Sequence, residues 1–192
     1  MNKLIGIGAV GALVVATTAF AAGPRTEEVT QRDVNQQNRI EQGLQSGQLN
    51  TKEAGKLEHQ QAMIDRTEAR DLKDGKLSAS EQAHINQMQN RAGAAIAKDK
   101  HNAVTGNPNS ASSKRMQGDV QRNANQETRI NQGAQTGTLS NRDVGSLERG
   151  QAHVDAKESR AAHDGHVAAA EQGSVQRAEN RQSHKIYRKK HN

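Results

Sequence analysis

The chain has no cysteine and no tryptophan, only one tyrosine (Tyr187), one phenylalanine (Phe20) and two prolines in 192 residues. Without cysteine there is no disulfide framework, no thiolate metal site and no thiol nucleophile. Without aromatic anchors, and with a mean hydropathy of −0.98, a large conventional apolar core is excluded. Ordering each residue costs about 1–2 kcal/mol, against about 25 cal/mol per Å² of apolar surface buried. Such a chain is therefore marginal, partly disordered, or held by ions, partners or self-association. No Ser/His/Asp order, metal-hydrolase helix motif or phosphate-binding glycine loop appears, so the expectation is a protein that is not an enzyme.

What is present begins with three zones at the N-terminus. Asn2-Lys3 supplies a positive start, Leu4 to about Thr18 an apolar stretch, and Ala19-Phe20-Ala21 a small-x-small site. This pattern predicts a signal peptide over 1–21, cut before Ala22, and a periplasmic or secreted protein. The formal net charge of +6 favours anionic surfaces as partners, lipid or nucleic acid, with envelope proteins as the other class.

An internal duplication organises the rest. Residues 31–102 align without gaps with 121–192, and about thirty of those positions are identical, among them Gln42-Gly43 with Gln132-Gly133 and Asp74-Gly75 with Asp164-Gly165. Similarity at that level sets the expected domains: unit 1 over 22–102, a flexible Gly/Asn/Ser/Pro linker over 103–118 and unit 2 over 119–192. Helix-forming residues and apolar spacing such as Ala54, Leu57, Ile64 and Ile85, Met88, Ala92 predict helices near 27–44, 51–72, 79–98, 117–134, 141–162 and 169–188. Polar Gln61 breaks the first of these series, and Gly150 interrupts the fifth helix. The fold class is thus all-α, two tandem three-helix units.

Between the helices, four turns share the pattern [Asp/Ser/Thr]-Gly-x-[Leu/Val]-x-x-x-[Glu/Asp], with the final acids at Glu53, Glu81, Asp143 and Glu171. This resembles the second half of an EF-hand calcium loop, with glycine sixth, an apolar residue eighth and an acid twelfth. The resemblance implies helix–loop–helix pairs and Ca²⁺ as ligand, held by Asp74 and Glu81 or Asp164 and Glu171, and less completely by Ser46 and Glu53 or Thr136 and Asp143. The first half departs from the pattern: Gln42, Arg70, Gln132 and Arg160 stand where the first carboxylate belongs. A metal-free reading explains the same residues. Asn50, Ser78 and Ser140 lie three before Glu53, Glu81 and Asp143, the spacing of a helix capping box.

Two further clusters are candidates. His153, His163 and His166 could gather a transition metal, since imidazole suits such ions, although unit 1 has Met63, Lys73 and Lys76 at the matching positions. Lys185, Arg188, Lys189 and Lys190 form the densest positive run, suited to anion binding or to offsetting a helix dipole.

Overall fold

The computed structural model describes residues 25–191; the expected signal peptide over 1–21 lies outside them. The described chain is all-α. Six long helices follow one another: α1 (Thr26–Ser46), α2 (Thr51–Asp71), α3 (Ala79–Lys100), α4 (Ala111–Gln135), α5 (Asn141–Ala161) and α6 (Ala169–Lys190). A short 3₁₀ turn, Leu72–Asp74, closes α2. No described helix is long and apolar enough to cross a membrane.

The turns are built as capped corners. Asn50, Ser78 and Ser140 each accept the N3 amide while Glu53, Glu81 and Asp143 return to the cap's own N–H. At Ala168 only the returning half exists: Glu171 accepts the Ala168 amide at 2.8 Å. The four turn glycines, Gly47, Gly75, Gly137 and Gly165, have φ between 70° and 92°, a region that side chains with a Cβ avoid.

The two repeats interleave. Helix α2 lies antiparallel against α5, and α1 antiparallel against α4, with α3 and α6 closing the flanks. At each end of the α2–α5 pair a glycine lets the backbones approach. A Cβ on Gly55 would sit 2.6 Å from Ala162 Cβ, and one on Gly145 would sit 2.8 Å from Leu72 Cβ. These contacts are mates under the 90-residue offset of the duplication, so the repeats meet about a pseudo-dyad.

Each apolar cluster draws on both repeats. One gathers Ile40, Leu49, Leu57 and Ile96 with Ala162, Val167 and Val175. Its mate gathers Ile130, Leu139, Leu147 and Ile186 with Leu72, Leu77 and Ile85. Neither repeat completes a cluster alone, which is how a chain with so few large apolar side chains still builds two apolar ends.

Three details differ from the pattern in the sequence. Helix α4 starts at Ala111, inside the stretch read as linker, because Ser110 caps it and Met116 is buried among the apolar residues of the first cluster. The remaining connection is tied down where the Gly106 amide donates to Gly47 O at 2.8 Å. Gly150 does not break α5; Gln182 from α6 occupies the space a side chain there would need and donates to Leu147 O at 2.8 Å. Gln61 faces inward and donates to Gln36 Oε1 at 2.9 Å. The break in the apolar series on α2 is thus where the polar interior begins.

Candidate metal centre

Between the two apolar ends the interior is acidic. Among the described residues thirteen carboxylates are buried: Asp33, Glu41, Glu53, Glu58, Asp65, Glu68, Asp71, Asp119, Glu127, Glu148, Asp155, Glu158 and Glu179; no described Lys, Arg or His is. The cations stay on the surface. Of these buried acids only Asp71 and Glu179 have a basic side chain within ion-pair distance, from Arg70 at 2.7 Å and Arg122 at 3.1 Å. Burying an ionised carboxylate without a partner costs several kcal/mol, so buried charges are normally paired or coordinate metals.

The placement follows from helix geometry. On α2, Glu58, Asp65 and Glu68 recur at i, i+7 and i+10, the same face as Leu57 and Gln61; on α5, Glu148, Asp155 and Glu158 repeat the arrangement. Because the helices run antiparallel, the first acid of one meets the later acids of the other.

Two triads result. In the first, Glu58 of α2 meets Asp155 and Glu158 of α5; in the second, Glu148 of α5 meets Asp65 of α2 and Glu127 of α4. Within each triad one carboxylate oxygen per residue lies within 4.8 Å of the others, and all six residues are buried.

Amides line the first triad. Gln37 donates to Glu58 Oε2 at 3.0 Å, and Asn123 donates to Asp155 Oδ1 at 3.0 Å and Glu158 Oε2 at 2.7 Å. Gln37 Oε1 and Asn123 Oδ1 are left buried with no donor. Beside the second triad, Gln89 donates to Asp33 at 2.7 Å, and its Oε1 likewise lacks a partner. Glu148 is fully buried and neither of its oxygens receives a hydrogen bond. Gln151, fully buried beside Glu127, has neither its Oε1 nor its Nε2 in a hydrogen bond. Apart from Gln151 Nε2, the unpartnered buried side-chain atoms are carboxylate and amide oxygens, which a proton or a cation would satisfy.

The titration behaviour has the same cause. Burial pushes Glu58 and Asp33 up to about 7, opposed by the Gln37 and Gln89 amides. Burial, and then the neighbouring carboxylates, hold Asp65, Glu68, Glu148, Asp155 and Glu158 well above the usual range. Glu127 rises too, from burial and the nearby Asp33. The charge of Asp155, the mate of Asp65 across the pseudo-dyad, adds to burial in raising Asp65.

The residues singled out from the sequence lie elsewhere. Asp74 and Asp164 are exposed at their turns, where they accept the Lys76 and His166 amides at 2.8 Å each. Glu81 accepts from the Ser78 amide at 2.8 Å, and Glu53 from Asn50 N at 3.0 Å and Asn102 at 2.8 Å. Ser46 and Thr136 donate to the carbonyls of Gly43 and Gln132 at 3.2 and 2.8 Å. Glu171 caps α6 as described, and none of the eight belongs to a triad.

His153, His163 and His166 are exposed, and His163 Nδ1 donates to Arg160 O at 2.9 Å. They form no three-ligand group among the described residues. In the basic run, Lys185 donates to Ser146 O, Lys189 pairs with Asp143 at 2.6 Å, and Lys190 donates to Arg129 O at 3.1 Å. Arg188 remains exposed.

The core acids themselves were visible in one respect. Glu58/Glu148, Asp65/Asp155, Glu68/Glu158 and Gln61/Gln151 are identical between the repeats, at helical spacing on an otherwise apolar face. Comparison with family models, curated proteins and solved structures returned no match. The class defined by fold and site is an all-α bundle with an interior of buried acids and amides.

Proposed function

We propose that this chain is an exported, non-enzymatic cation-binding protein, and that its ions sit in the bundle core, on the two buried triads. The observation that carries this reading is the excess of buried oxygen acceptors without donors, Glu148 above all. Export rests on the N-terminal pattern over 1–21. In this reading the two repeats are tandem units that close one bundle, and their EF-hand-like turns are the corners that order its helices.

The ligand set selects the ion. Carboxylate and amide oxygens without nitrogen or sulfur suit a hard cation. Ca²⁺ takes six to eight such oxygens in a flexible shell, whereas Mg²⁺ keeps several waters and binds through one or two carboxylates. Ca²⁺ and Mn²⁺ are the expected ligands, with Mg²⁺ weaker.

Isothermal titration of the full chain with Ca²⁺ and with Mn²⁺ is the test, repeated on two double variants. Asp65→Asn with Glu148→Gln removes ligands of the core triad around Glu148 and should weaken binding about tenfold or more. Asp74→Asn with Glu81→Gln alters a turn and should leave the core affinity unchanged. If the turn variant loses binding and the core variant keeps it, the ion belongs at the EF-hand-like turn. If neither ion binds at millimolar concentration, the interior is held by protons instead, and the protein is an acid-stabilised structural bundle.

A further inference from the structure

We infer that the two core clusters are unequal, and that the one around Glu148 is the tight cation site while the one around Glu58 takes its ion more weakly. This rests on the cation-binding reading and concerns how the ions are distributed.

The duplication allows a position-by-position comparison. Five matched positions surround each cluster. Around Glu58 they are Glu58, Asp155, Glu158, Gln37 and Asn123; around Glu148 they are Glu148, Asp65, Glu68, Glu127 and Asp33. Three positions are identical between the repeats. The other two exchange amide for carboxylate: Gln37 for Glu127 and Asn123 for Asp33. At these five positions one cluster offers three carboxylates and two amides and the other five carboxylates; at a sixth matched pair, Gln89 with Glu179, the exchange runs the other way.

Local partners widen the difference. Every carboxylate of the Glu58 cluster already accepts an amide N–H from Gln37 or Asn123. An ion entering there must turn those amides over to recruit their oxygens. Two more acids, Asp119 and Glu179, lie beyond Glu158, but they face Arg122, whose Nε is 3.1 Å from Glu179. At the other cluster Glu148 has no donor on either oxygen. There, Gln89 is shared between Asp33 at 2.7 Å and Glu68 at 3.5 Å. No basic side chain lies within ion-pair distance of any of its five acids. Since affinity for a hard cation rises with the charge of its ligands, the ion goes first to the cluster with more carboxylates at the five matched positions and with Glu148 free on both oxygens.

The experiment is a Mn²⁺ titration of the full chain followed by paramagnetic resonance of free Mn²⁺, with calorimetry in parallel. The wild type should show two classes of site separated by about tenfold or more. Asp33→Asn with Glu127→Gln gives this cluster the amides of its mate and should reduce the tight class to the weak level, sparing the other. Removing buried charge does not threaten the fold. The reciprocal pair, Gln37→Glu with Asn123→Asp, should tighten the weak class and supplies an independent check. Two equal sites in the wild type, or equal weakening of both classes by Asp33→Asn with Glu127→Gln, would overturn the inequality while leaving cation binding intact. No Mn²⁺ binding by the wild type would remove both.

Discussion

The acids at the turns and the acids in the core are the same residue types in opposite settings. At the turns, hydrogen bonds from Ser78 hold Glu81 below the usual carboxylate range, and the His166 amide does the same for Asp164. In the core, burial drives Glu148 and Asp155 far above it. A turn acid is supplied with donors by its own helix end and is satisfied as it stands. A core acid has been removed from water and given too few donors. The buried oxygens without donors therefore lie in the core, although the turns carry the more recognisable motif.

The largest effect expected from this contrast is a dependence of stability on pH in chelator. For Asp33 and Glu58 the folded state holds its protons up to about pH 7, and for Glu179 up to about pH 8. An unfolded carboxylate releases its proton near pH 4. Between about pH 4 and 8 the folded state therefore binds more protons than the unfolded one, and stability falls as pH rises. With several such groups, thermal unfolding in chelator should move down by more than about 10 °C from pH 5 to pH 8. Added Ca²⁺ or Mn²⁺ should restore the loss at pH 8 and do little at pH 5, where protons occupy the same oxygens. A melting temperature that rises with pH in chelator would show that the core acids are not the dominant titrating groups.

Glu148→Gln follows in size, because it separates charge from shape. In chelator at pH 8 the substitution should stabilise the protein by about 1–4 kcal/mol, since an unpaired buried charge is replaced by a neutral isostere. In the presence of ion it should lower affinity about tenfold. Opposite signs in denaturation and titration are the signature of a ligand; a residue needed only for packing would lose on both counts.

The helices and their order were legible in the sequence, because periodicity and capping are local properties. Asn50–Glu53 and Ser78–Glu81 can be recognised within four residues. The core site could not be assembled that way. Glu58 and Glu158 meet only because α2 and α5 run antiparallel with Gly55 on Ala162 and Gly145 on Leu72, a relation between repeats rather than within one. The mean hydropathy spoke of few large apolar side chains but not of the buried acids and amides between the two apolar clusters. Gln61, read as a break in an apolar series, was the residue that marked it.

That crossing is itself open to test. Gly145→Val would drive a side chain into Leu72, with even the first carbon only 2.8 Å from Leu72 Cβ. Overpacking of this kind costs about 1–3 kcal/mol. Because the same crossing sets the distance between Asp65 and Glu148, the variant should also weaken the ion, whereas enlarging a residue outside the α2–α5 contact should affect stability alone.

The smallest effect belongs to the turns and completes the contrast. Ser78→Ala removes the hydroxyl that accepts the Glu81 amide at 3.2 Å and donates to Glu81 Oε2 at 2.6 Å. Loss of such a cap costs about 1 kcal/mol, or about 2–4 °C in the melting temperature of a chain this size. Ser140→Ala should behave alike, since Asp143 keeps its bond to Lys189. Neither should alter cation affinity, because neither side chain reaches a triad. Three of the four turns carry the full reciprocal cap, so a variant at Asn50, Ser78 or Ser140 reports on helix ends. Should Ser78→Ala depress binding more than stability, the corner at Gly75 contributes to the ion as well as to the fold, and the division between turn and core would have to be redrawn there.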